Sequence, residues 1–399
     1  MNNQTNNITE QNRALGYLKG IIIVMLVAFH SIMAYTLFTP AIPSPTSFLA
    51  EPRLWRVFAI LDSQTLSAFT VYFFYFNTFA MALMFFISGL FVWNSLSRKG
   101  NSLFLRDRFL RLGVPFVVLA LFEEPLRYYP AYLAIGGSPQ LSAYWSQWIS
   151  QGDWPTGYLW FLWLLLAFNC IAVLIFFINQ KRKQSTINIS PNFIQHPAVF
   201  FGILITASAA AYIPLTVIYG PLLWSHFGPF SFQTSRILFY GIYFLFGIIL
   251  GAIGIEKGLL ATEGRLAKRW PFWLGAAIIS FVAYLILVMR AMSDTNLSTI
   301  GRLIAIFSFL ICCAASVFAF LSFFLRFLRK SNRVFDSLQI NAYGIFLFHF
   351  IFVIWLQYAL LSVKLSAVSK ASIVFICSLA ISWGISTALR RIPAIAKVI

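Results

Sequence analysis

The chain has 399 residues, 60% of them apolar, 18% aromatic and 10% charged, with a formal net charge of +18. This composition excludes a soluble globular domain, and long unbroken apolar runs in place of short alternating segments exclude an outer-membrane barrel. The positive charge fits lysine and arginine gathered in cytoplasmic loops beside a lipid bilayer, so no nucleic acid is expected as a partner.

In chain order, residues 1–19 are expected to be a cytoplasmic tail. The apolar run that follows is too long for a cleaved signal peptide, so the first span is expected to remain as a signal anchor. Ten spans are predicted at 20–38, 72–96, 112–134, 157–179, 198–219, 237–255, 271–289, 301–325, 339–361 and 371–389, each long enough to cross about 30 Å of hydrocarbon. Residues 20–390 form a single transmembrane domain, and 391–399 a short cytoplasmic tail. Charge tests the count. With the N-terminus inside, Arg13 and Lys19 precede the first span, and Arg98, Lys99, Arg106, Arg108 and Arg111 follow the second. The later inner loops hold Lys181, Arg182 and Lys183, then Lys257, Arg265, Lys268 and Arg269, then Arg326, Arg329, Lys330 and Arg333. The outer segments, among them Arg53 with Arg56, and Arg236 alone, hold no more than two basic residues each. That alternation predicts an all-α integral membrane protein with about ten transmembrane helices and both termini cytoplasmic.

Ionisable residues at membrane depth are costly and mark candidate sites. His30 lies about ten residues into the first span, and His349 about ten into the ninth. Glu123, Glu124 and Arg127 interrupt the third span around Pro125. Spans one, three and nine start on the same side, so His30, Glu123 and His349 are expected at one level near the midplane. Lys19 and His30, eleven residues apart, lie on nearly one helix face and about 16 Å apart. An anionic ligand held at Lys19 can therefore extend a thin arm of the phosphopantetheine type to His30. Each feature also has a plainer reading. A membrane histidine is often a packing residue, Lys19 can snorkel, the Arg98–Arg111 cluster follows from topology, and Trp145, Trp148 and Trp154 suit an interfacial aromatic belt. Cys170, Cys312, Cys313 and Cys377 fall in apolar runs without zinc-site spacing, so no metal is expected.

The ordered set of segments resembles the membrane-bound acyltransferase-3 family. The Lys19–His30 pair is similar to that family's basic residue, ten positions, then histidine; lysine stands where arginine is more usual. FFISGLFVWNSLSRKG at 85–100 resembles its FF-x-SG segment. RDRFLRLGVPF at 106–116 resembles R-x-x-R-L-x-P, YLWFLWLLL at 158–166 its WFL segment, and SLQINAYGIFLFH at 337–349 its S-x-YGIYL-x-H segment. The WFLW stretch is also similar to the glucan-succinylating branch. The first-span entry reads GYLKG rather than YLDGLRG, which leaves no acidic residue there.

The resemblance implies a membrane O-acyltransferase of the bacterial inner membrane. It would move an acetyl or succinyl group from cytoplasmic acyl-CoA, a co-substrate and not a bound cofactor, to a hydroxyl of an envelope carbohydrate. His30 is then expected as base or transient acyl carrier, with His349, Glu123 or Glu124 orienting it. Lys19, Arg108 and Arg111 would hold CoA, with weaker contacts from Arg98 and Arg106. Ser88, Gly89 and Tyr343 would serve the channel or its helix packing, and Trp145, Trp148 and Trp154 the acceptor. A proton-coupled transporter or lipid-linked-sugar flippase is the alternative, with the same ionisable groups as a relay. Against it stands the absence of an inverted repeat.

Overall fold

A computed structural model describes residues 2–38, 40, 42–47, 58–150, 152, 154–181, 196–255, 258–294 and 296–399. Arg53, Arg56, Arg182, Lys183 and Lys257 of the charge count lie outside the described residues. The long helices are α1 (Asn2–Ile32), α2 (Ser67–Leu90), α3 (Val114–Ala134), α4 (Trp160–Lys181) and α5 (Pro197–Tyr219). They are followed by α6 (Ile237–Ile253), α7 (Trp270–Ser293), α8 (Thr299–Phe327), α9 (Arg333–Ala359) and α10 (Ala367–Leu389). The chain is an all-α integral membrane protein. Its described strands are β1 (Trp224–Phe227) and β2 (Phe230–Gln233), an antiparallel hairpin pairing Trp224 with Gln233 and Phe227 with Phe230.

Nine of these helices among the described residues are long and apolar enough to cross a membrane. The exception is α3, which carries Glu123, Glu124 and Arg127. Contact geometry decides its status. Tyr17 bonds to Asp336 at 2.5 Å and His30 to His349 at 2.8 Å, two pairs with the same sequence offset of 319, so α1 and α9 run parallel. Tyr343 bonds to the Arg111 carbonyl, and Trp355 to that of Leu126 at 3.1 Å, so α3 also runs parallel to α9. Without a crossing by α3, strict alternation would set α1 and α9 antiparallel. The helix crosses.

Two expectations shift. α1 continues unbroken through residue 19, with Ala14, Leu15, Tyr17 and Leu18 buried, so that boundary corresponds to no break in structure. Its other end comes early, at Ile32 instead of 38, because the chain tightens into a 3-10 turn over Met33–Tyr35. His30 therefore sits in the last turn. Helix α1 is central, with 72% of its span buried, whereas α7, at 17%, faces outward.

Helices α2 and α6 cross at backbone contact. A Cβ on Gly89 would overlap the Phe244 carbonyl, one on Gly247 that of Phe86, and one on Gly251 that of Leu90. Small residues let helices approach where lipid offers little hydrophobic drive for association. Ser88 is half-buried beside this crossing. At the far end of α1, Lys370 pairs with Asp62 at 2.6 Å, both side chains 2% exposed. The Asp62 backbone N–H donates to Ala34 at 3.0 Å, which ties the segment after α1 to the start of α10.

Replacing Gly247 with valine should lower stability by about 1–3 kcal/mol, since overpacking here meets backbone. Gly384→Ala, whose new methyl meets nothing within 4 Å, should be near neutral. Thermal unfolding midpoints of the two variants in detergent check the contrast.

Candidate active site

Helices α1 and α9 bring His30 and His349 together, both at most 8% exposed. Their rings lie within 15° of parallel with centroids 5.1 Å apart, and His30 Nδ1 is 2.8 Å from His349 Nε2. The other nitrogen of His349, Nδ1, lies 2.8 Å from the Phe346 carbonyl oxygen and 3.1 Å from that of Ile345. Carbonyl oxygens only accept, so Nδ1 carries the hydrogen. In a site this dry an uncompensated charge is expensive, which favours two neutral rings. Neutral His349 then offers a lone pair at Nε2, and His30 must donate to it from Nδ1. The remaining lone pair of the dyad is on His30 Nε2. Gln357, 2% exposed, donates to the carbonyls of His30 at 3.0 Å and Ser31 at 3.2 Å, satisfying acceptors that the end of α1 leaves open.

His30 lines a cavity of about 180 Å³. Phe29, Phe73, Phe76 and Phe350 form much of its wall, with the Pro155–Tyr158 turn and the hairpin residues Trp224, Ser231 and Gln233 closing another side. Phe350 stacks on His30 at 4.2 Å between centroids, and the Arg127 guanidinium lies 4.8 Å from the centroid of the same ring.

Arg127 forms a fully buried ion pair with Glu124 one turn away on α3. Gly157, at φ +44°, presses against both, and a Cβ there would overlap the guanidinium. Glycine supplies the positive φ and the space at once. The Tyr158 hydroxyl donates to the Leu347 carbonyl at 2.5 Å and lies 3.0 Å from Glu123 Oε2. Its ring packs edge-on against His349, with centroids 5.5 Å apart. Glu124 is thus held by Arg127 and Glu123 by Tyr158, while the partner on the His30 ring is His349.

The basic residues gather elsewhere. Lys19 is half-buried on α1, close enough to Arg111 and Arg390 to be repelled by both. Arg111 sits in a π-helical turn over Phe109–Gly113 and donates to the Lys397 carbonyl at 3.2 Å. Arg108 lies 4.8 Å over the Phe104 ring, and Arg98 and Arg106 are exposed. Lys99 bonds to Asp107, which holds that carboxyl below its usual range and spends the lysine's charge. Between this rim and the cavity lies one turn of α9: Tyr343, bonded to Arg111, stacks at 6.4 Å on Phe346, a cavity residue.

Trp145, Trp148 and Trp154 do not line the cavity. Trp148 is buried at 1%, Trp154 donates to the Ala120 carbonyl at 2.6 Å, and Trp145 is exposed. Trp160 and Trp224 line it instead. Tyr158, Gly157, Gln357 and Asn77 belong to the site although the sequence reading gave them no role. The lone amides in FFYFNTFA and VIWLQYAL were the available signals. Among the described residues no three His, Cys, Asp or Glu side chains converge in a way that would hold a metal ion.

Residues 12–387 match the acyltransferase domain of the acyltransferase-3 family. The chain belongs to that family. It is similar to glucans biosynthesis protein C of Salmonella heidelberg, 28% identical over 255 residues, 61% of this chain and 62% of that protein. The same protein of Salmonella paratyphi B is 27% identical over 256 residues, 61% of this chain and 62% of the relative. The chain thus spans less than two thirds of the length of these curated relatives. No solved structure matches.

Breaking the buried pair with Arg127→Met should cost about 3–5 kcal/mol by stranding Glu124. Adding Glu124→Leu to that variant should recover much of the loss. A double-mutant cycle on thermal or denaturant unfolding gives the sign of the coupling.

Proposed function

We propose that this acyltransferase-3 protein moves a short acyl group, acetyl or succinyl, from cytoplasmic acyl-CoA to a hydroxyl of an envelope carbohydrate. The open lone pair on His30 Nε2, held by the His349 relay at the wall of an aromatic cavity, carries this reading. The protein works in the bacterial inner membrane with both termini cytoplasmic. The names of the similar Salmonella proteins support a glucan as acceptor.

The CoA phosphates dock on the rim of Lys19, Arg108 and Arg111, with Arg98 and Arg106 adding charge at its edge. Lys19 and His30 are eleven residues apart on one helix, about 16 Å, and the Tyr343–Phe346 turn supports a path for the pantetheine arm between them. At the dyad, His30 Nε2 takes the proton of the acceptor hydroxyl as its oxygen bonds to the thioester carbonyl carbon. The resulting imidazolium still donates from Nδ1 to His349, so its ring keeps its orientation. Collapse of the tetrahedral intermediate breaks the C–S bond, and His30 returns the proton to the departing thiolate. Glu123, Glu124 and Arg127 hold Tyr158 and Phe350, and through them the rings. Gly89 and Ser88 set the packing of α2 behind the cavity.

Inverted membrane vesicles supplied outside with radiolabelled acetyl-CoA or succinyl-CoA test this. Wild type should pass label to luminal glycan. His30→Ala should lower the rate at least about 10³-fold, and His349→Ala, which removes only the orienting ring, by about 10²-fold. Wild-type vesicles that label nothing from either donor, or a fully active His30→Ala, would contradict the proposal.

A further inference from the structure

A second buried arginine stands behind the cavity. Arg236, 4% exposed, occupies the N-cap of α6. Its hydrogen bonds all leave from Nη1, to the Asn77 backbone oxygen at 2.8 Å, to Asn77 Oδ1 at 3.2 Å and to the Tyr240 hydroxyl at 3.4 Å. Nε has no partner. Every one of those acceptors is neutral. Of the eleven acidic residues, seven have described side chains, and none of the seven pairs with Arg236. Asp62 serves Lys370, Asp107 serves Lys99, Glu124 serves Arg127, and Glu263 serves Arg326 and Arg329. Glu123 is with Tyr158, Asp336 with Tyr17 and Ser331, and Asp294 with the Asn296 backbone. A guanidinium this deeply buried normally keeps a counter-ion, as Arg127 does.

Arg236 itself does not line the cavity that holds His30, but the two residues that take its hydrogen bonds, Asn77 and Tyr240, do, and so does Gln233. Asn77 Oδ1 accepts from Arg236, so its amide donor is turned away from the guanidinium, and the first amides of α6 add their positive dipole end to the same corner. Phe29 bridges the two ends: it directly precedes His30 in sequence and stacks on Phe73 at 5.1 Å, one turn from Asn77 on α2.

We infer that Arg236, set directly behind Asn77 and Tyr240, makes this wall of the acyl-transfer cavity anion-recognising and selects a reacting partner that carries a carboxylate. The inference rests on the acyltransferase reading above. A planar carboxylate suits the guanidinium fork, and its single negative charge matches the one cation present; a phosphate dianion would want a second. The carboxylate comes either from a dicarboxylic acyl chain on CoA or from an acidic sugar of the acceptor.

The test compares wild type, Arg236→Gln and Asn77→Asp in membranes, the last retaining the guanidinium but handing it an internal counter-ion. Donors are acetyl-CoA and succinyl-CoA; acceptors are a neutral glucan oligosaccharide and one bearing glucuronate. Wild type should prefer the carboxylate-bearing partner, and both variants should cut that preference in kcat/KM about 30-fold, equivalent to about 2 kcal/mol. Loss in the donor comparison assigns the carboxylate to the acyl chain, and loss in the acceptor comparison to the glycan. Equal use of charged and neutral partners by wild type, or an unchanged preference in both variants, overturns the inference. If wild type transfers from neither donor, the acyltransferase reading fails, and unfolding midpoints with succinate against neutral succinamide decide the anion site separately. Stabilisation by succinate alone, lost in Asn77→Asp, supports it, and equal midpoints overturn it.

Discussion

Two backbone carbonyls with no hydrogen of their own set the state of this site. Phe346 and Ile345 can only accept, so His349 must give them its Nδ1 hydrogen, and each later assignment follows along the chain of nitrogens to His30 Nε2. A histidine alone in a membrane helix has two tautomers and a rotating ring. Here the carbonyls of α9 choose the tautomer, the 2.8 Å contact fixes the ring, and Gln357 fixes the backbone that carries it. The second imidazole does for the first what a carboxylate does in a hydrolase triad, without bringing a charge into the bilayer.

The rest of the fold keeps those two helices in register. Parallel packing of α1 and α9 places Tyr17 against Asp336 at one end and His30 against His349 at the other, thirteen residues on, with the same offset of 319. Close approach depends on Gly16 and Gly20, where a Cβ would meet Gln339 and Leu338. The buried Arg127–Glu124 pair holds the third helix against this unit through Phe350 and the Tyr158 turn. That pair is expensive in desolvation, and its worth lies in placement. The two buried arginines differ in one respect: Arg127 carries its own counter-ion, whereas Arg236 meets only neutral acceptors among the described residues.

Much of this was legible in the residues. Apolar runs and the alternation of basic loops marked all ten helices, including α3, whose charges hide it from hydropathy alone. Equal depth pointed to a meeting of His30 and His349, because depth follows from rise per residue. The end of α1 was not legible, since an apolar stretch continues past Ile32 while the helix stops. Tyr158, Gly157 and Gln357 were not legible either. Each is one polar or flexible residue in an aromatic run, and its meaning comes from a partner distant in sequence, such as 35 positions for Tyr158 with Glu123 and 327 for Gln357 with His30. The hairpin at 224–233 had a signal, the Gly228–Pro229 pair between alternating aromatics, that is easily taken for a loop. The tryptophans at 145, 148 and 154 read by type as an aromatic belt or a sugar platform, and none of the three lines the cavity.

The central claim concerns one proton. Nitrogen-15 NMR of histidine-labelled protein in nanodiscs, with His30 and His349 assigned through single substitutions, reads which ring nitrogen carries it. The structure predicts His30 protonated at Nδ1 and bare at Nε2, with a coupling across the contact to His349 Nε2. A His30 ring protonated at Nε2, the form free imidazole side chains prefer, would contradict the account, because the dyad would then have no lone pair left at the cavity.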